Sequence, residues 1–502
     1  MKFGFEHTYA QELPGYHLPG RPDVVPAPHL LFWNAPLAQQ LGLGSIVERD
    51  ADLAEVFSGN KLPDDALPIA QAYAGHQFGN FSRQLGDGRA LLLGELRDQA
   101  GQRFDVSLKG SGPTDFSRGG DGKAAVGPMM REVLIGEFLH AVGIPTTRAL
   151  AVVATGEEVR RSVMLPGAVL TRVASSHIRV GTFEFYAARG DVTRVKLLAD
   201  YAIARHDPEL VGRDDRYVEF LRAVARRQTD LVAKWMNIGF IHGVMNTDNV
   251  AVSGESIDFG PCAFLEAYDP ATVFSSIDHG GRYAYGNQPA IAQWNLARLC
   301  EAMIPFLDPA PAKALALATE IVEAFPERIR ARMSESRLSK LGLSSSSTIA
   351  VESDDRILLD GWLGLLQADR VDFTLAWRRL ADAAEGNEAS LVSMFGDRGA
   401  LSTWLGRWRE RCAQDDAGFA GAPQELGRIR ALRMRAVNPS VVPRNHLVEE
   451  ALGAASDKDD LRPFEALLEA LRSPFDSAWE DSRYAIGASA EATARYRTFC
   501  GT

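Results

Sequence analysis

The sequence is poor in cysteine, in long apolar runs and in positive charge. Its 502 residues include four cysteines, which are too few and too scattered for a disulfide framework or a zinc site. No apolar run reaches the roughly 18 residues that a membrane helix needs. The formal net charge of -11 argues against a general nucleic-acid binder, which is usually basic. We therefore expect a cytoplasmic protein with neither a membrane nor a nucleic acid as partner.

The four cysteines differ in position. Cys262, Cys300 and Cys412 lie well inside the chain, and we expect them to be buried free thiols. Cys500 lies almost at the end of the sequence, where we expect its thiol to be accessible. An accessible thiol of this kind is either inert or a redox-sensitive group.

The patterning along the chain predicts three regions. Residues 1–70 carry many prolines and few periodic runs, and are predicted to wrap irregularly around the rest. Residues 71–185 alternate short hydrophobic stretches with glycine-rich turns, which indicates a strand-rich lobe with nucleotide-binding loops. Residues 186–502 are mainly helical in periodicity. They are predicted to form a helical lobe that contains a metal-binding and catalytic loop and ends in covering C-terminal helices. The expected fold is α+β and bilobal, in the order of a protein-kinase-like fold.

Individual elements follow from the same patterns. Three strands are predicted at residues 90–96, 104–109 and 149–154, and a helix is predicted at about 127–142. Longer helices are predicted at residues 217–238, 290–306, 312–333, 360–384 and 462–471, and the serine run at 344–347 is predicted to be a loop.

The segment from Ile241 to Asn249 carries the strongest chemical signal. It reads Ile-His-Gly-Val-Met-Asn-Thr-Asp-Asn, and Asp258-Phe-Gly begins nine residues after Asn249. Kinase-like folds use such an Asn and Asp, separated by a short hydrophobic strand, to hold a metal-bound nucleotide. Mg²⁺ suits these oxygen ligands, because it takes one or two protein groups and keeps its other positions for phosphate and water. Asn249 and Asp258 are therefore candidate metal ligands, with a polar turn and a helix cap as the structural alternative.

Val244 lies where a related kinase loop has its catalytic Asp. In small-molecule kinases with such a loop, the residue after His-Gly takes the proton from the accepting hydroxyl, which a valine cannot do. Asp248 is the remaining carboxylate beside the predicted metal and is the candidate proton acceptor. His242 is predicted to support the loop rather than to act as a base.

Two glycine-rich stretches are candidate phosphate-binding loops. Residues 84–90 predict a glycine turn in a hairpin, in which Gly86 and Gly88 let backbone amides approach phosphate oxygens and Arg89 adds a phosphate contact. An ordinary hairpin turn is the alternative. Residues 116–123 form either a mobile surface loop or a loop that closes over a nucleotide, with Asp121 and Gly122 near the ribose or the phosphates.

Cationic side chains provide further candidates. Lys109 ends a predicted strand, and Glu132 on the following helix is placed to orient it, as in the strand-lysine and helix-glutamate pair of kinases. Arg172 and Arg179 are seven residues apart and share one face if the segment is helical, where they form a clamp for a terminal phosphate. Solvated surface groups and surface salt bridges are the structural alternatives for both pairs.

These segments together resemble the selenoprotein O (SelO, YdiU) family. The resemblance covers essentially the whole chain, and it extends to Asn438-Pro439 and to the segment 444–450. The motifs that carry it are Gly75-His-Gln-Phe-Gly79, residues 84–90, Leu108-Lys-Gly-Ser-Gly112, Pro145-Thr-Thr-Arg-Ala-Leu150, residues 242–249 and Asp258-Phe-Gly-Pro261.

The resemblance implies a kinase-like protein that transfers AMP from ATP to Ser, Thr or Tyr hydroxyls of proteins, with loss of pyrophosphate. It also implies that ATP binds in reversed orientation, so that the α-phosphate faces the acceptor. Asp248 would be the proton acceptor, and Glu132 would pair with Lys109. Mg²⁺ would be bound by Asn249 and Asp258. The nucleotide would be bound by Gly86, Gly88, Arg89, Lys109, Asp121, Gly122, Arg172, Arg179 and Asp258.

Some positions depart from the family pattern. Asp115 replaces the proline of a common Thr-Pro-Phe-Ser-Arg motif, and Lys123 replaces an arginine, which keeps the charge but loses a bidentate fork. Some bacterial relatives have a cysteine shortly after Tyr-Asp-Pro that pairs with the terminal cysteine. Residues 273–275 are Val-Phe-Ser here, so that disulfide is not expected, whereas Cys500 matches the terminal Cys or selenocysteine position.

Three alternatives to AMP transfer are open at this point. UMP transfer with Mn²⁺ lies within the resemblance. Phosphoryl transfer keeps the same metal residues but needs a base that the loop lacks. A non-catalytic ATP-binding scaffold has no need for Asp248, Asn249 and Asp258 together. The sequence carries no signal for the oligomeric state.

Overall fold

A computed structural model of the chain describes residues 1–44, 50–344, 349–417 and 421–499. Its N-terminal region is built on a seven-stranded antiparallel sheet with the order β1-β3-β6-β7-β9-β8-β2, and β4-β5 and β10-β11 form two-stranded ladders. The strands are β1 (His17–Pro19), β2 (His29–Trp33), β3 (Ile69–Gln71), β4 (Gly75–Gln77), β5 (Asn80–Ser82), β6 (Ala90–Arg97), β7 (Arg103–Lys109), β8 (Arg148–Arg160), β9 (Met164–Ala174), β10 (Phe240–Ile241) and β11 (Ala263–Phe264).

The rest of the described chain is mainly helical, so the molecule is α+β with a sheet-rich N-terminal and a helical C-terminal region. The helices are α1 (Thr8–Glu12), α2 (Ala35–Gln40), α3 (Asp50–Phe57), α4 (Val126–Ala141), α5 (Val180–Ala187), α6 (Val192–His206), α7 (Arg216–Ile238), α8 (Gln288–Met303), α9 (Pro311–Glu323), α10 (Phe325–Lys340), α11 (Ile349–Ala368), α12 (Phe373–Ala384), α13 (Ala389–Val392), α14 (Arg398–Asp416), α15 (Pro423–Val437), α16 (Asn445–Lys458), α17 (Arg462–Arg472) and α18 (Ala490–Arg495).

The sheet is covered on both faces, which accounts for the continuous apolar runs in β6 and β8. On one face, helices α2 and α3 bury Leu37, Leu53 and Phe57 against β6, β7 and β9. On the other face, α4 packs between the sheet and helices α16 and α17. Helix α4 is therefore buried along nearly its whole length.

The predicted strands and most of the predicted helices are confirmed, but two of the predicted long helices are each divided into two. Residues 312–333 belong to α9 and α10, and Pro326 in the first turn of α10 has no N–H to continue the preceding helix. Residues 360–384 belong to α11 and α12. Arg370 adopts a left-handed φ of 53° between them, and the Asp372 side chain caps α12 by accepting from the backbone N–H of Leu375.

Other predictions change in detail. Residues 1–70 are more regular than expected, because they supply β1 and β2 at the two edges of the sheet. The hydrophobic stretch between Asn249 and Asp258 makes only isolated bridges at Ala251 and Ser256 rather than a strand. Cys262, Cys300 and Cys412 are buried free thiols, as predicted. Cys500 and nearly all of the serine run lie outside the described residues. Within the described ranges, the structure has no helix with the length and apolarity needed to cross a bilayer.

The C-terminal motif Arg444-Asn445 holds the segment that follows the predicted metal loop. Arg444 is fully buried and donates to the carboxylates of Glu266 and Asp372. The Asn445 side chain accepts from the backbone N–H of Phe264 at 3.1 Å and donates to its carbonyl at 2.9 Å. Both backbone groups of one β11 residue are thereby fixed by a helix that lies far away in sequence.

Glu137 joins α4 to the sheet and to α17. Its carboxylate accepts from the Asn34 amide at 3.0 Å, from Arg148 Nε at 2.7 Å and from Arg472 at 2.7 Å. Burial opposes the charge, but the guanidiniums of Arg148 and Arg472 outweigh it and hold the pKa of Glu137 below its ordinary value.

We predict that Glu137→Ala lowers the free energy of unfolding by about 3 kcal/mol, because it leaves the largely enclosed Arg148 guanidinium without its buried carboxylate partner. Chemical denaturation at neutral pH measures the change, and the exposed Glu469→Ala on α17 is the control. Because the folded-state pKa is lowered, the stabilisation is present above the ordinary pKa and is lost as pH falls below it. A difference between Glu137→Ala and wild type that stays constant from pH 7 to pH 3 contradicts this assignment.

Candidate active site

A cavity of about 670 Å³ opens between the sheet and the loop that follows β10. Its walls come from the two glycine-rich stretches, β7, β9, α4 and the loops at residues 242–249 and 258–261. All of the residues that the sequence predicts as site residues line this one cavity: Gly86, Gly88, Arg89, Lys109, Asp121, Gly122, Glu132, Arg172, Arg179, Asp248, Asn249 and Asp258.

A cluster of buried charges lies on one wall of the cavity. Lys109, the last residue of β7, places Nζ 2.8 Å from Glu132 Oε1 on α4, so the predicted pair is present. The same Nζ lies 2.6 Å from Asp258 Oδ1, and Arg172 on β9 reaches that oxygen at 2.8 Å. Glu132 also accepts from the backbone N–H of Phe259 at 3.2 Å. Strand, helix and loop therefore meet at Asp258.

The cluster keeps Asp258 ionised. Burial alone would favour the neutral acid, but Lys109, Arg172 and Arg179 outweigh it and hold the pKa of Asp258 well below its usual range. Asp258 also adopts a left-handed φ of 64°, which few non-glycine residues do. This backbone conformation aims the carboxylate at the cavity while Phe259 is buried behind it.

Arg179 reaches the cavity for a different reason from the one predicted. The segment between Arg172 and Arg179 is not helical, because Arg172 lies in β9 and Arg179 is the residue before α5. Arg179 lies 3.4 Å from Asp87 and packs its guanidinium over the Tyr73 ring at 4.3 Å. The two arginines nevertheless line the same cavity.

The loop at residues 242–249 is anchored from behind. His242 is fully buried, and its Nε2 lies 2.9 Å from the Ile257 carbonyl, which agrees with the predicted supporting role. Gly243 has a φ of 81°, and a Cβ there would lie 2.5 Å from the Pro261 carbonyl oxygen. The Asn249 amide donates to the Val244 carbonyl at 3.1 Å, so its side-chain oxygen is the atom left to accept or coordinate.

Asp248 combines burial with access to the cavity. It is 9% exposed and lines the cavity together with Val244. Burial raises the pKa of its carboxyl to about 6. Its Oδ1 is buried with no hydrogen-bond partner, so Oδ2 is the oxygen that faces the cavity.

The first glycine-rich stretch is not a hairpin turn. Residues 84–89 connect β5 to β6, which belong to different sheets. The Gly86 N–H donates to the Tyr73 carbonyl and the Gly88 N–H to the Gly86 carbonyl, so neither amide is free for phosphate. A Cβ on Gly86 would lie 2.3 Å from the Phe116 ring. These glycines let the second stretch pack closely against the first.

The second stretch is held by ion pairs that the sequence analysis missed. Arg161, at the β8-β9 turn, bonds both oxygens of Asp121, at 2.7 and 3.2 Å, and also donates to the Lys123 carbonyl. Gly122 has a φ of 64°, and a Cβ there would lie 2.1 Å from the Gly112 carbonyl oxygen. No local sequence signal links Arg161 to Asp121, because α4 and β8 separate them along the chain.

Other cavity residues carry no signal of their own in the sequence. Tyr73, Gln77, Asp87, Met129 and Arg161 all line the cavity. Gln77 and Asp87 belong to motifs of the family resemblance, which could have identified them. Tyr73, Met129 and Arg161 are recognisable only after the sheet has brought their strands and loops together.

The arrangement fits a divalent cation with a nucleotide. Asp258 exposes a quarter of its side chain to the cavity, and Asn249 presents an amide oxygen beside it. Within the described residues, no group of three or more His, Cys, Asp or Glu could hold a metal. An ion that takes two protein oxygens and completes its shell with phosphate and water matches this donor set.

Comparison with known proteins identifies the family. Residues 1–472 match the family model described as "Protein adenylyltransferase SelO". A relative from Chromobacterium violaceum, named "Protein nucleotidyltransferase YdiU", is 56% identical over 491 residues, which are 98% of this chain and 100% of the relative. Relatives of the same name from Cereibacter sphaeroides (strain ATCC 17023) and Rhizobium rhizogenes are 54% and 50% identical; the alignments cover 100% and 99% of this chain, and 100% and 97% of the relatives.

The family implies a nucleotide substrate, which is the ligand that the cavity's cations and candidate metal ligands suit. The chain belongs to the SelO family of protein adenylyltransferases and is an enzyme of nucleotide transfer.

Proposed function

We propose that this enzyme transfers AMP from ATP to Ser, Thr or Tyr hydroxyls of other proteins and releases pyrophosphate, with ATP bound in reversed orientation on a bilobal kinase-like fold. The observation that carries the proposal is the position of Val244 relative to Asp248. An aliphatic side chain occupies the usual kinase base position, while a cavity-facing carboxylate lies four residues later. Such a site is organised for an acceptor hydroxyl at a different place along the polyphosphate.

The position of the cations supports the reversed orientation. Lys109 and Arg172 are both buried and both bond Asp258, and Arg179 lies beside them with Asp87. We assign the β- and γ-phosphates to this group, because a pyrophosphate leaving group needs its charge neutralised. The α-phosphate then lies toward Asp248.

The cavity residues account for the proton and the leaving group of the proposed reaction. The acceptor oxygen attacks the α-phosphorus, and the bond from that phosphorus to the bridging oxygen of the β-phosphate breaks. Asp248 takes the hydroxyl proton, and its pKa of about 6 suits proton transfer near neutral pH. A bound Mg²⁺ or Mn²⁺, held by Asn249 and Asp258, would stabilise charge on the phosphates. Lys109, Arg172 and Arg179 hold the leaving pyrophosphate.

The kinase-like fold and the division at residues 70 and 185 belong to the same proposal. The Lys109–Glu132 pair, the Asp258-Phe259-Gly260 loop and a sheet that precedes a helical region support it. Protein substrates, rather than membranes or nucleic acids, are the proposed partners. Three buried thiols without disulfides support the proposed cytoplasmic location.

The first test uses purified protein with Mg²⁺ and ATP labelled at either the α- or the γ-phosphate. We expect label on protein only from α-labelled ATP, because AMP retains the α-phosphorus. Label only from γ-labelled ATP means phosphoryl transfer and contradicts the proposal. A parallel assay with α-labelled UTP and Mn²⁺ measures the alternative of UMP transfer.

The second test separates the proton acceptor from the metal ligand. We expect Asp248→Asn to lower kcat by about 10²- to 10⁴-fold while ATP binding changes little, because the residue acts on the acceptor. Asp258→Ala should lose both metal-dependent ATP binding and transfer. Calorimetric titration with ATP and Mg²⁺ and the label assay measure the two effects.

Asp115→Asn is the matched control, since Asp115 is an exposed carboxylate near the second glycine-rich stretch. Full activity in Asp258→Ala would overturn the metal assignment. Unchanged kcat in Asp248→Asn would remove Asp248 as the proton acceptor.

A further inference from the structure

The hairpin formed by β4 and β5 belongs to neither the seven-stranded sheet nor the charge cluster. It contains the motif Gly75-His-Gln-Phe-Gly79, to which the proposed reaction gives no role. Its two strands pair only with each other, from Gly75–Ser82 to Gln77–Asn80. A separate two-stranded ribbon needs packing from elsewhere to hold its place.

The catalytic loop provides that packing. The His76 backbone N–H donates to Thr247 Oγ1 at 2.7 Å, and the Phe78 N–H donates to Asn246 Oδ1 at 3.1 Å. The Tyr283 hydroxyl donates to the same Asn246 oxygen. The hairpin backbone is thereby bound to the two residues that precede Asp248.

Glu184 on α5 locks the hairpin and the loop together. Its carboxylate accepts from Thr247 Oγ1 and lies 2.6 Å from His76 Nδ1. Glu184 is 5% exposed, so this contact is shielded from water. One buried carboxylate therefore bridges the hairpin, the helix and the catalytic loop.

The hairpin packs so closely against Asp248 that neither a side chain nor a water molecule fits between them. A Cβ on Gly75 would lie 2.3 Å from Asp248 Oδ1, and one on Gly181 would lie 2.1 Å from the Ala74 carbonyl oxygen. The backbone of the hairpin therefore presses directly on one oxygen of the Asp248 carboxylate. That oxygen is buried and makes no hydrogen bond.

Gln77 acts on the other oxygen. Its side-chain Nε2 lies 3.4 Å from Asp248 Oδ2, a long hydrogen bond, and Gln77 lines the cavity. Among the described residues, Gln77 is the side chain that donates to this carboxylate. The amide is thus placed where it can orient the carboxylate about its last bond, and with it the direction in which Oδ2 accepts a proton.

We infer that Gln77 is a positioning residue for the transfer step, which orients the Asp248 carboxylate toward the acceptor hydroxyl from a hairpin built for that purpose. The inference rests on the proposed function. Gln77 acts through Asp248 and does not bond Lys109, Arg172 or Arg179. Loss of the Gln77 side chain should therefore slow the transfer without weakening ATP binding.

The experiment measures kcat and KM for ATP by label transfer from α-labelled ATP to protein, with the full chain and Mg²⁺. We expect Gln77→Ala and the isosteric Gln77→Glu, which removes the donor, to lower kcat by about 10- to 100-fold, as small misplacements of catalytic groups do. KM for ATP and the thermal midpoint should stay close to the wild-type values. Asn80→Ala is the control, because this exposed side chain of the same hairpin makes no hydrogen bond within the described residues.

Each other outcome overturns a defined part of the inference. If wild type transfers label and both Gln77 variants keep kcat within twofold, the positioning role is wrong and the proposed function stands. If KM for ATP rises in parallel with the loss of kcat, Gln77 binds the nucleotide instead. If wild type transfers no α-label, the proposed function fails and the inference fails with it.

Discussion

The carboxylate of Asp258 is the point on which the rest of the site depends. It is held by Lys109 from β7 and Arg172 from β9, and Lys109 in turn is held by Glu132 from α4. Two positive and two negative side chains thus balance within one buried cluster, and removing any one leaves an uncompensated charge. A divalent cation on Asp258 would disturb this balance unless anionic phosphates arrived at Lys109 and Arg172. Metal and nucleotide are therefore expected to bind together.

Sequence reasoning placed residues at the cavity correctly where a residue's position is set by its own element. Lys109 was predictable because a strand end gives a lysine a rigid support, and Asp258 because Phe-Gly follows it. The pairing of Lys109 with Glu132 followed from the helix after the strand. In the fold, the strand-rich first region and the helices after residue 190 were predictable from periodicity. Boundaries failed at Pro326 and Arg370, where one backbone position ends a helix that periodicity would continue.

The parts that could not be predicted depend on contacts between distant segments. Arg161 holds Asp121 because two long strands bring the β8-β9 turn over a loop some forty residues earlier. Gly86 and Gly88 were attributed to phosphate binding, but their amides are already bonded, and the space they leave is filled by the second glycine-rich stretch. Arg172 and Arg179 converge on the cavity from a strand and a helix start rather than from one helical face. Residues can therefore be predicted to share one cavity even where their predicted local geometry is wrong.

The C-terminal region explains why the family resemblance extends so far beyond the cavity. Sequence reasoning assigned no chemistry to this region beyond the thiol of Cys500. Yet the Asn445 side chain bonds both backbone groups of Phe264. The Thr498 hydroxyl also donates to the Pro261 carbonyl at 2.7 Å, next to the Asp258 loop. A loop with a strained residue at Asp258 keeps its conformation only if its surroundings hold both of its ends. Lys109, Arg172 and Glu132 hold one end, and the C-terminal region holds the other. The residues of that region are thus part of what places Asp258, the proposed metal ligand, although none of those that the structure describes there lines the cavity.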